Sequence, residues 1–193
     1  MEKAVFLDRD GVINKPVFNP DTGEFESPHH PDDLCLFDWT TDCLQKIAKE
    51  GYLMFVVSNQ PSYAKGKTSL ENIKEIQYKL KRELEKNRIF VKEYYYCYHH
   101  PNGIVKEYSY ECECRKPKPY FILKAQKEYD IDLSRSWMIG DRDTDVFCGQ
   151  NAGVKTILIE EENSIKNRGK SSPDFYSENL IDAVNIISGG KNE

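Results

Sequence analysis

In the stretch AVFLDRDG at residues 4–11, a short apolar run ends in two carboxylates and a glycine. Two later runs have the same form: YLMFVV at 52–57 leads into SNQ at 58–60, and WMI at 137–139 leads into GDRD at 140–143. Apolar runs of this length, bounded by glycine and polar residues, are typical of buried parallel strands. Because open α/β sheets bind ligands at the carboxyl ends of their strands, the three runs predict one shared site.

Helical periodicity between the apolar runs predicts that helices alternate with strands. Helices are expected at about 40–50, 70–87, 119–129, 143–150 and 180–187, and further strands at 93–97 and 156–159. The segments at 14–33, 98–117 and 160–174 are polar or rich in proline, so we expect loops there. The alternation predicts a three-layer, Rossmann-like α/β fold around a parallel sheet. We expect a single domain over residues 1–188 and a disordered tail at 189–193.

Composition narrows the class of protein. The chain has 193 residues, a hydrophobic fraction of 39% and a formal net charge of −5, which argues against broad binding of nucleic acid. The first apolar run is too short for a signal peptide or a membrane span. Six cysteines without an export signal indicate a reducing compartment, where grouped cysteines more often bind metal than form disulfides. We therefore expect a cytoplasmic protein, a monomer with no membrane or nucleic-acid partner.

Asp8 and Asp10 have the spacing of a catalytic pair. Side chains two positions apart on a strand share a face and lie about 6.6 Å apart along the chain. One carboxylate can attack phosphorus to form an aspartyl-phosphate, and the other can protonate the leaving alkoxide and then deprotonate water. Two anions beside a phosphate require a cation, and Mg²⁺ with Asp141 as a further ligand meets that need. The alternative is that Asp-x-Asp-Gly only forms a turn, and Asp141 at a matching strand end argues against it.

The ends of the other runs supply donors and cations. Ser58 and Asn59 offer hydroxyl, amide and main-chain donors, although capping of a turn would also explain either residue alone. Several cations flank the expected site in this acidic protein and indicate compensation for a multiply charged substrate: Lys65, Lys67, Arg115, Lys116 and Arg142. For Lys65 and Lys67 an ordinary solvated surface is the favoured reading. Pro117 restricts Lys116 to extended geometry and so helps to aim it.

The loop at 97–117 contains a second cluster of chemistry-bearing residues. Two pairs, Cys97-Tyr98-His99 and Cys112-Glu113-Cys114, are separated by twelve residues. Three thiolates and one imidazole form a closed tetrahedral set suited to structural Zn²⁺, and His100 competes with His99 for the fourth place. Disulfides or buried free thiols are the alternatives, and the polar loop and reducing compartment argue against them. We expect zinc to hold Arg115 and Lys116 toward the substrate, and we expect Cys35, Cys43 and Cys148 to be ordinary core or surface thiols.

These motifs together resemble those of haloacid-dehalogenase-type phosphatases. The resemblance covers roughly residues 5–159 and rests on DRDG at 8–11, Ser58-Asn59, Lys116, and Gly140-Asp141 with Asp145. It implies that Asp8 is the nucleophile and Asp10 the general acid/base, while Ser58 and Lys116 hold the phosphoryl oxygens. It also implies that Mg²⁺ is bound by the side chains of Asp8 and Asp141 and by the main-chain carbonyl of Asp10, with Asp145 supporting Asp141.

The cysteine loop resembles one subgroup, the heptose 1,7-bisphosphate 7-phosphatases and the related histidinol-phosphate phosphatases. The subgroup lacks a large cap domain. The resemblance implies zinc ligands at Cys97, His99, Cys112 and Cys114, and substrate contacts at Ser58, Asn59, Gln60, Arg115, Lys116 and Arg142. The chain departs from the heptose enzymes in a longer loop after Asn14, which lacks their typical Gly-Tyr pair, and at Pro61, Tyr98 and Tyr120.

The function expected from this resemblance is removal of the 7-phosphate of D-glycero-D-manno-heptose 1,7-bisphosphate, in nucleotide-activated heptose synthesis for lipopolysaccharide or another surface glycan. Two alternatives are kept. A histidinol-phosphate phosphatase would share the chemistry and differ in substrate. A non-catalytic, zinc-dependent interaction module would share the cysteine loop and have no need for the set Asp8, Asp10, Lys116 and Asp141.

Overall fold

The computed structural model describes residues 1–189 and contains eight strands and five helices within that range. The strands are β1 Ala4–Leu7, β2 Val17–Asn19, β3 Glu24–Glu26, β4 Leu53–Asn59, β5 Glu93–Cys97, β6 Trp137–Gly140, β7 Lys155–Ile159 and β8 Phe175–Ser177. The helices are α1 Thr40–Lys49, α2 Leu70–Lys86, α3 Tyr120–Tyr129, α4 Asp143–Ala152 and α5 Leu180–Ile187. Except for Gly189, the tail expected at 189–193 lies outside the described residues.

Six of the strands form one parallel sheet in the order β5-β4-β1-β6-β7-β8. Strand β1 is central, pairs with β4 and β6, and has four fully buried residues. Its side chains alternate between the faces: Val5 and Leu7 pack on one side, and Ala4 and Phe6 on the other. Both faces of a parallel sheet are covered, which explains why β1 is an unbroken apolar run.

Helices cover the two faces of the sheet separately. Buried residues of α1, α2 and α5 join one core cluster, and buried residues of α3 and α4 join the other. The result is the three-layer α/β arrangement that the alternation of strands and helices predicts. Among the described residues, no helix is both long enough and apolar enough to cross a membrane.

Strand β8 was not predicted, and two other differences from the sequence expectations affect the polar edge of the sheet. The segment at 14–33 is not only a loop: β2 and β3 form an antiparallel hairpin in which Phe18 faces Phe25. Strand β4 continues to Asn59, two residues past the predicted end, because Ser58 and Asn59 pair with Tyr96 and Cys97 of β5. The extension fixes the main chain of both polar residues within the sheet.

Candidate active site

The carboxyl ends of β1, β4 and β6 meet at one edge of the sheet, as the sequence predicts. Asp8 follows β1, Ser58 and Asn59 end β4, and Asp141 follows β6. Asp8 and Asn59 line a cleft of about 360 Å³, whereas Ser58 and Asp141 are buried and do not line it. The lining of this cleft includes Asp8, Asp10, Asn59, Arg115, Lys116 and Arg142. Most of the expected site residues are therefore brought together in one place.

Lys116 lies at the centre of the carboxylates. Its Nζ is 2.9 Å from Asp8 Oδ1 and 2.7 Å from Asp145 Oδ1, and it donates a hydrogen bond to the carbonyl oxygen of Val57 at 2.6 Å. Burial alone would lower the pKa of this ammonium group, but Asp145 and Asp8 raise it. Burial would raise the pKa of Asp8, and the attraction of Lys116 together with a hydrogen bond from Ser58 lowers it instead. Asp8 is thus held as a carboxylate, the form required of a nucleophile.

Asn59 positions the main chain of Lys116. The Asn59 amide donates to the Lys116 carbonyl oxygen at 3.1 Å, and the Lys116 main-chain N–H donates to Asn59 Oδ1 at 3.0 Å. This pair of hydrogen bonds ties the end of the cysteine loop to the end of β4. The side chain of Asn59 therefore acts on Lys116, although the residue also lines the cleft.

Asp141 is a buried carboxylate without a satisfied oxygen. It is fully buried, neither oxygen has a hydrogen-bond partner among the described residues, and the nearest cation, Arg142 Nε, is 3.7 Å away. Burial, with repulsion from Asp8 and Asp145, raises the pKa of Asp141 well above its ordinary value. Buried polar groups are nearly always satisfied, so this carboxylate is suited to contact with a cation.

The donor set around Asp141 fits Mg²⁺. Carboxylate oxygens of Asp8, Asp141 and Asp145 all lie within 4.8 Å of one another, and Mg²⁺ is commonly bound by one or two carboxylates plus phosphate and water. Gly11 leaves room for this group: its φ is +84°, and a Cβ there would lie 2.4 Å from Asp141 Oδ2. A side chain at position 11 would push Asp141 away, which explains the glycine after the two aspartates.

Asp10 lines the cleft, and buried neighbours hold its carboxylate. Its carboxylate accepts hydrogen bonds from Arg9, Asn14 and Gln60. Gln60 is buried, does not line the cleft, and donates a hydrogen bond to Asp10. Arg9 is fully buried, and sequence reasoning treated it only as the variable residue between two aspartates.

The cleft is also lined by cations. Four of them form what we call its cationic wall: Lys65, Lys67, Arg115 and Arg142. Burial, together with repulsion from Lys67 and Arg115, lowers the pKa of Lys65. Lys67 is paired with Glu26 of the hairpin. Among the described residues, neither Lys65 nor Arg115 forms an ion pair with a carboxylate.

The hairpin contributes residues that the sequence analysis did not assign to the site. Residues 24–27, which comprise β3 and the residue after it, line the cleft, and Ser27 Oγ lies 3.1 Å from Ser62 Oγ in the segment after β4. Glu26 contacts His29 as well as Lys67. The only sequence signal for this wall was the length of the loop after Asn14, which marked a departure without showing what it builds.

The cysteine cluster has the dimensions of a tetrahedral metal site. Cys112 Sγ is 3.4 Å from both Cys97 Sγ and Cys114 Sγ, and His99 Nδ1 is 3.8 Å from Cys97 Sγ and 3.5 Å from Cys114 Sγ. A zinc ion with ordinary bond lengths requires ligand separations of roughly 3.5–3.8 Å. A hydrogen bond with the Cys114 thiol lowers the pKa of Cys97 to about 5, so a thiolate is available for a metal.

The structure also shows which histidine lies in the cysteine cluster and how the cluster contacts the cleft. His99 Nδ1 faces the three sulfurs, and its Nε2 lies 2.7 Å from the Tyr110 hydroxyl, the second contact that orients most metal-binding histidines. His100 lies outside the cluster, where its Nδ1 accepts a hydrogen bond from the Asn102 N–H. Arg115 donates to the His99 carbonyl oxygen at 3.0 Å, so the cluster and the cationic wall are directly joined.

The chain is similar in sequence and in fold to known proteins. Residues 113–183 match a family model described as HAD-hydrolase-like. The chain is 34% identical over 192 residues to the D-glycero-beta-D-manno-heptose-1,7-bisphosphate 7-phosphatase of Pasteurella multocida, covering 99% of this chain and 100% of that one. It belongs to the HAD-type phosphatase family of this relative. The chain is therefore an enzyme that hydrolyses a phosphate ester, not a non-catalytic zinc module.

Two further matches agree with this membership. The D-glycero-alpha-D-manno-heptose-1,7-bisphosphate 7-phosphatase of Photorhabdus laumondii is 36% identical over 160 residues, 81% of each chain. The crystal structure of a D,D-heptose 1,7-bisphosphate phosphatase from B. bronchiseptica, complexed with magnesium and phosphate, has a TM-score of 0.79 and 23% identity, and covers 97% of this chain and 99% of that one. The expected fold of this HAD-type phosphatase is confirmed, and that fold implies a requirement for Mg²⁺.

Proposed function

We propose that this phosphatase removes the 7-phosphate of D-glycero-D-manno-heptose 1,7-bisphosphate, giving heptose 1-phosphate and inorganic phosphate. The observation that carries the proposal is that Lys65 and Arg115, which form no ion pair with a carboxylate of the described residues, lie in the same cleft as Asp8. Lys116 and Arg142 already lie among the carboxylates, so the additional positive charge suits a second phosphate on the substrate. The names of the relatives from Pasteurella and Photorhabdus support the same substrate class.

The proposed chemistry proceeds in two steps. Asp8 attacks phosphorus, an Asp8 oxygen–phosphorus bond forms, and the bond to the sugar oxygen breaks while Asp10 gives that oxygen a proton. Water then attacks the aspartyl-phosphate, Asp10 takes the proton, and Asp8 is released with phosphate. Ser58 and Lys116 hold the phosphoryl oxygens. Asn59, Arg115 and Arg142 complete the proposed set of residues around the substrate.

Two metal ions have different proposed roles. Asp8, Asp141 and the main-chain carbonyl of Asp10 would hold Mg²⁺, which when bound supplies positive charge to the phosphoryl oxygens. The contact of Asp145 with Lys116, 2.7 Å, supports a positioning role for Asp145. Cys97, His99, Cys112 and Cys114 would hold Zn²⁺ with no open position, so its proposed role is structural.

The wider assignment is also proposed. The enzyme would comprise one domain, residues 1–188, with the zinc loop at 97–117 inside it. It would act as a monomer in the cytoplasm, where it supplies nucleotide-activated heptose synthesis for lipopolysaccharide or another surface glycan.

A comparison of kcat/KM for both anomers of heptose 1,7-bisphosphate and for histidinol phosphate tests the substrate. We expect the better heptose anomer to exceed histidinol phosphate by at least about 10²-fold, because histidinol phosphate has no second phosphate to meet Lys65 and Arg115. A preference for histidinol phosphate would overturn the substrate assignment and leave the two-step chemistry standing. The relatives include enzymes named for each anomer, so both must be measured.

A further inference from the structure

Three buried neighbours hold the carboxyl group of Asp10. Its Oδ1 accepts from Arg9 Nε at 3.0 Å, from Arg9 Nη2 at 2.9 Å and from Asn14 Nδ2 at 2.9 Å. Its Oδ2 accepts from Gln60 Nε2 at 2.7 Å and from Arg9 Nη2 at 3.1 Å. These donors determine how the carboxyl group is turned, and a proton on Asp10 takes the place of one of them, because a carboxylate offers about four acceptor sites.

Gln60 connects Asp10 to the phosphate-holding side of the site. The same Nε2 that donates to Asp10 also donates to Ser58 Oγ at 3.0 Å, and Gln60 Oε1 accepts from Arg9 Nη2 at 2.8 Å. A single amide therefore fixes the position of Asp10 relative to the hydroxyl that would bind the phosphoryl group.

Arg9 and Gln60 are both buried next to Asp10. Their exposed fractions are 0% and 2%, and neither lines the cleft. The Arg9 guanidinium lies 6.0 Å from the centre of the Tyr96 ring, and its planar fork holds Asp10 through two nitrogens. Lysine could supply the charge at this place but not the fork.

We propose that Arg9 and Gln60 are positioning residues that aim Asp10 at the leaving-group oxygen of a phosphoryl group bound at Ser58. The proposal rests on the proposed role of Asp10 as general acid/base. As the bond between phosphorus and the sugar oxygen breaks, its electron pair goes to that oxygen, which takes the proton of Asp10. Asp10 is then a carboxylate and takes a proton from the water that attacks the aspartyl-phosphate. A misdirected Asp10 would slow both steps.

Leaving groups of different basicity separate this role from a merely structural one. An alkoxide must be protonated as it leaves, whereas p-nitrophenolate leaves without help, and kcat/KM reports only the steps through release of the leaving group. The variants Gln60→Leu and Arg9→Lys are compared with wild type on heptose 1,7-bisphosphate and on p-nitrophenyl phosphate. We expect kcat/KM to fall by about 10²-fold on the alkyl phosphate and by less than about fivefold on the aryl phosphate.

The second step gives an independent readout. Because the variants also lack a well-placed base, rapid mixing with p-nitrophenyl phosphate should give a burst of p-nitrophenolate equal to the enzyme concentration, followed by slow turnover. Asp10→Asn should show the same pattern more strongly. Thr40→Val is the matched control, because it loses a buried hydrogen bond to the Ile13 carbonyl oxygen without touching Asp10.

Two outcomes would overturn the proposal: equal losses on the alkyl and aryl phosphates, or no loss on either in a folded Gln60→Leu variant. Gln60→Leu leaves Arg9 in place and changes no charge, so this variant provides the test even where Arg9→Lys does not fold. If wild type prefers histidinol phosphate, that substrate replaces the heptose in the same comparison. The positioning role is then tested although the proposed substrate has failed.

Discussion

The two clusters of potential metal ligands differ in what holds them. Asp8 and Asp141 follow β1 and β6, strands that pair on both sides within the sheet. Cys97 ends β5, at the edge of the sheet, and its partners lie in the segment 98–117, whose only regular element is a 3-10 turn at Lys106–Tyr108. The sheet preorganises the carboxylates, whereas the shape of the cysteine loop depends on its own ligands.

The dependence between the clusters runs in one direction. Lys116, which pairs with Asp8 and Asp145, comes two residues after Cys114 at the end of the cysteine loop. The carboxylate site therefore needs the loop to be in place. Nothing in the ligand set of the loop comes from the carboxylate cluster. Damage to the cysteines should reach the chemistry, and damage to the carboxylates should leave the cysteine cluster intact.

The largest effect is expected at the nucleophile. Asp8→Asn cannot form the aspartyl-phosphate, so kcat should fall by about 10⁴-fold or more while far-UV circular dichroism and zinc content stay unchanged. Asp143→Asn is the matched control, since Asp143 is also buried at this edge but bonds to Ser171. It should keep kcat within about tenfold. Turnover by Asp8→Asn at a comparable level would remove Asp8 as the nucleophile.

Loss of a zinc ligand should come next in size. Cys112→Ser removes one of four ligands, and the loop should then hold Arg115 and Lys116 less well. We expect zinc content and melting temperature to fall and kcat/KM to drop by about 10²-fold, measured by metal analysis, thermal unfolding and steady-state assay. The exposed Cys35, replaced by Ser, is the control and should change none of these. A zinc-free variant with full stability and activity would contradict the dependence of one cluster on the other.

The sequence predicted most of the sheet because dense local patterns encode it. The bounds of β5 and α5 agree with the expectation, and Asp8, Ser58 and Asp141 meet because parallel strands end at one edge. The hairpin was missed because strands of three half-exposed residues carry little periodicity. Spacing also left His99 and His100 open, since either could reach the cluster along an irregular loop.

The burial of Arg9 is a different kind of miss. Its position in the stretch DRDG resembles that of any exposed arginine, and an ionised residue is seldom fully buried. Its partner Gln60 lies 51 positions later, so only the pairing of β1 with β4 brings the two together. Local sequence patterns therefore cannot predict a contact between two residues so far apart along the chain.

The cationic wall offers a smaller and more selective effect. Lys65→Met removes a charge that carboxylates do not compensate, so KM for heptose 1,7-bisphosphate should rise about tenfold with kcat within about threefold. Lys118→Met is the control, because Lys118 pairs with Glu113 and does not line the cleft. The KM for a substrate with one phosphate should be nearly unchanged in Lys65→Met. An equal rise in KM for both substrates would show that Lys65 does not meet a second phosphate.

The smallest expected effect is on stability, where a substitution in the carboxylate cluster should stabilise the protein. The pKa of Asp141 is raised by burial and by repulsion from Asp8 and Asp145, so the folded state binds its proton more tightly than the unfolded state does. The cost of ionising Asp141 is absent below about pH 4 and grows as the pH rises toward the raised pKa. Without magnesium and with zinc retained, Asp141→Asn should be more stable than wild type by about 1 kcal/mol at neutral pH.

Urea unfolding of wild type and Asp141→Asn, with and without Mg²⁺, measures this difference. Added Mg²⁺ should stabilise wild type and have less effect on the variant, because only the folded wild type offers the full set of carboxylates. Asp143→Asn is a control of opposite sign. Burial would raise the pKa of Asp143, but hydrogen bonds from Ser171 and the main chain lower it, so its neutral form should destabilise the protein. If magnesium-free wild type matched or exceeded Asp141→Asn in stability at neutral pH, the unsatisfied carboxylate would not be a cation site.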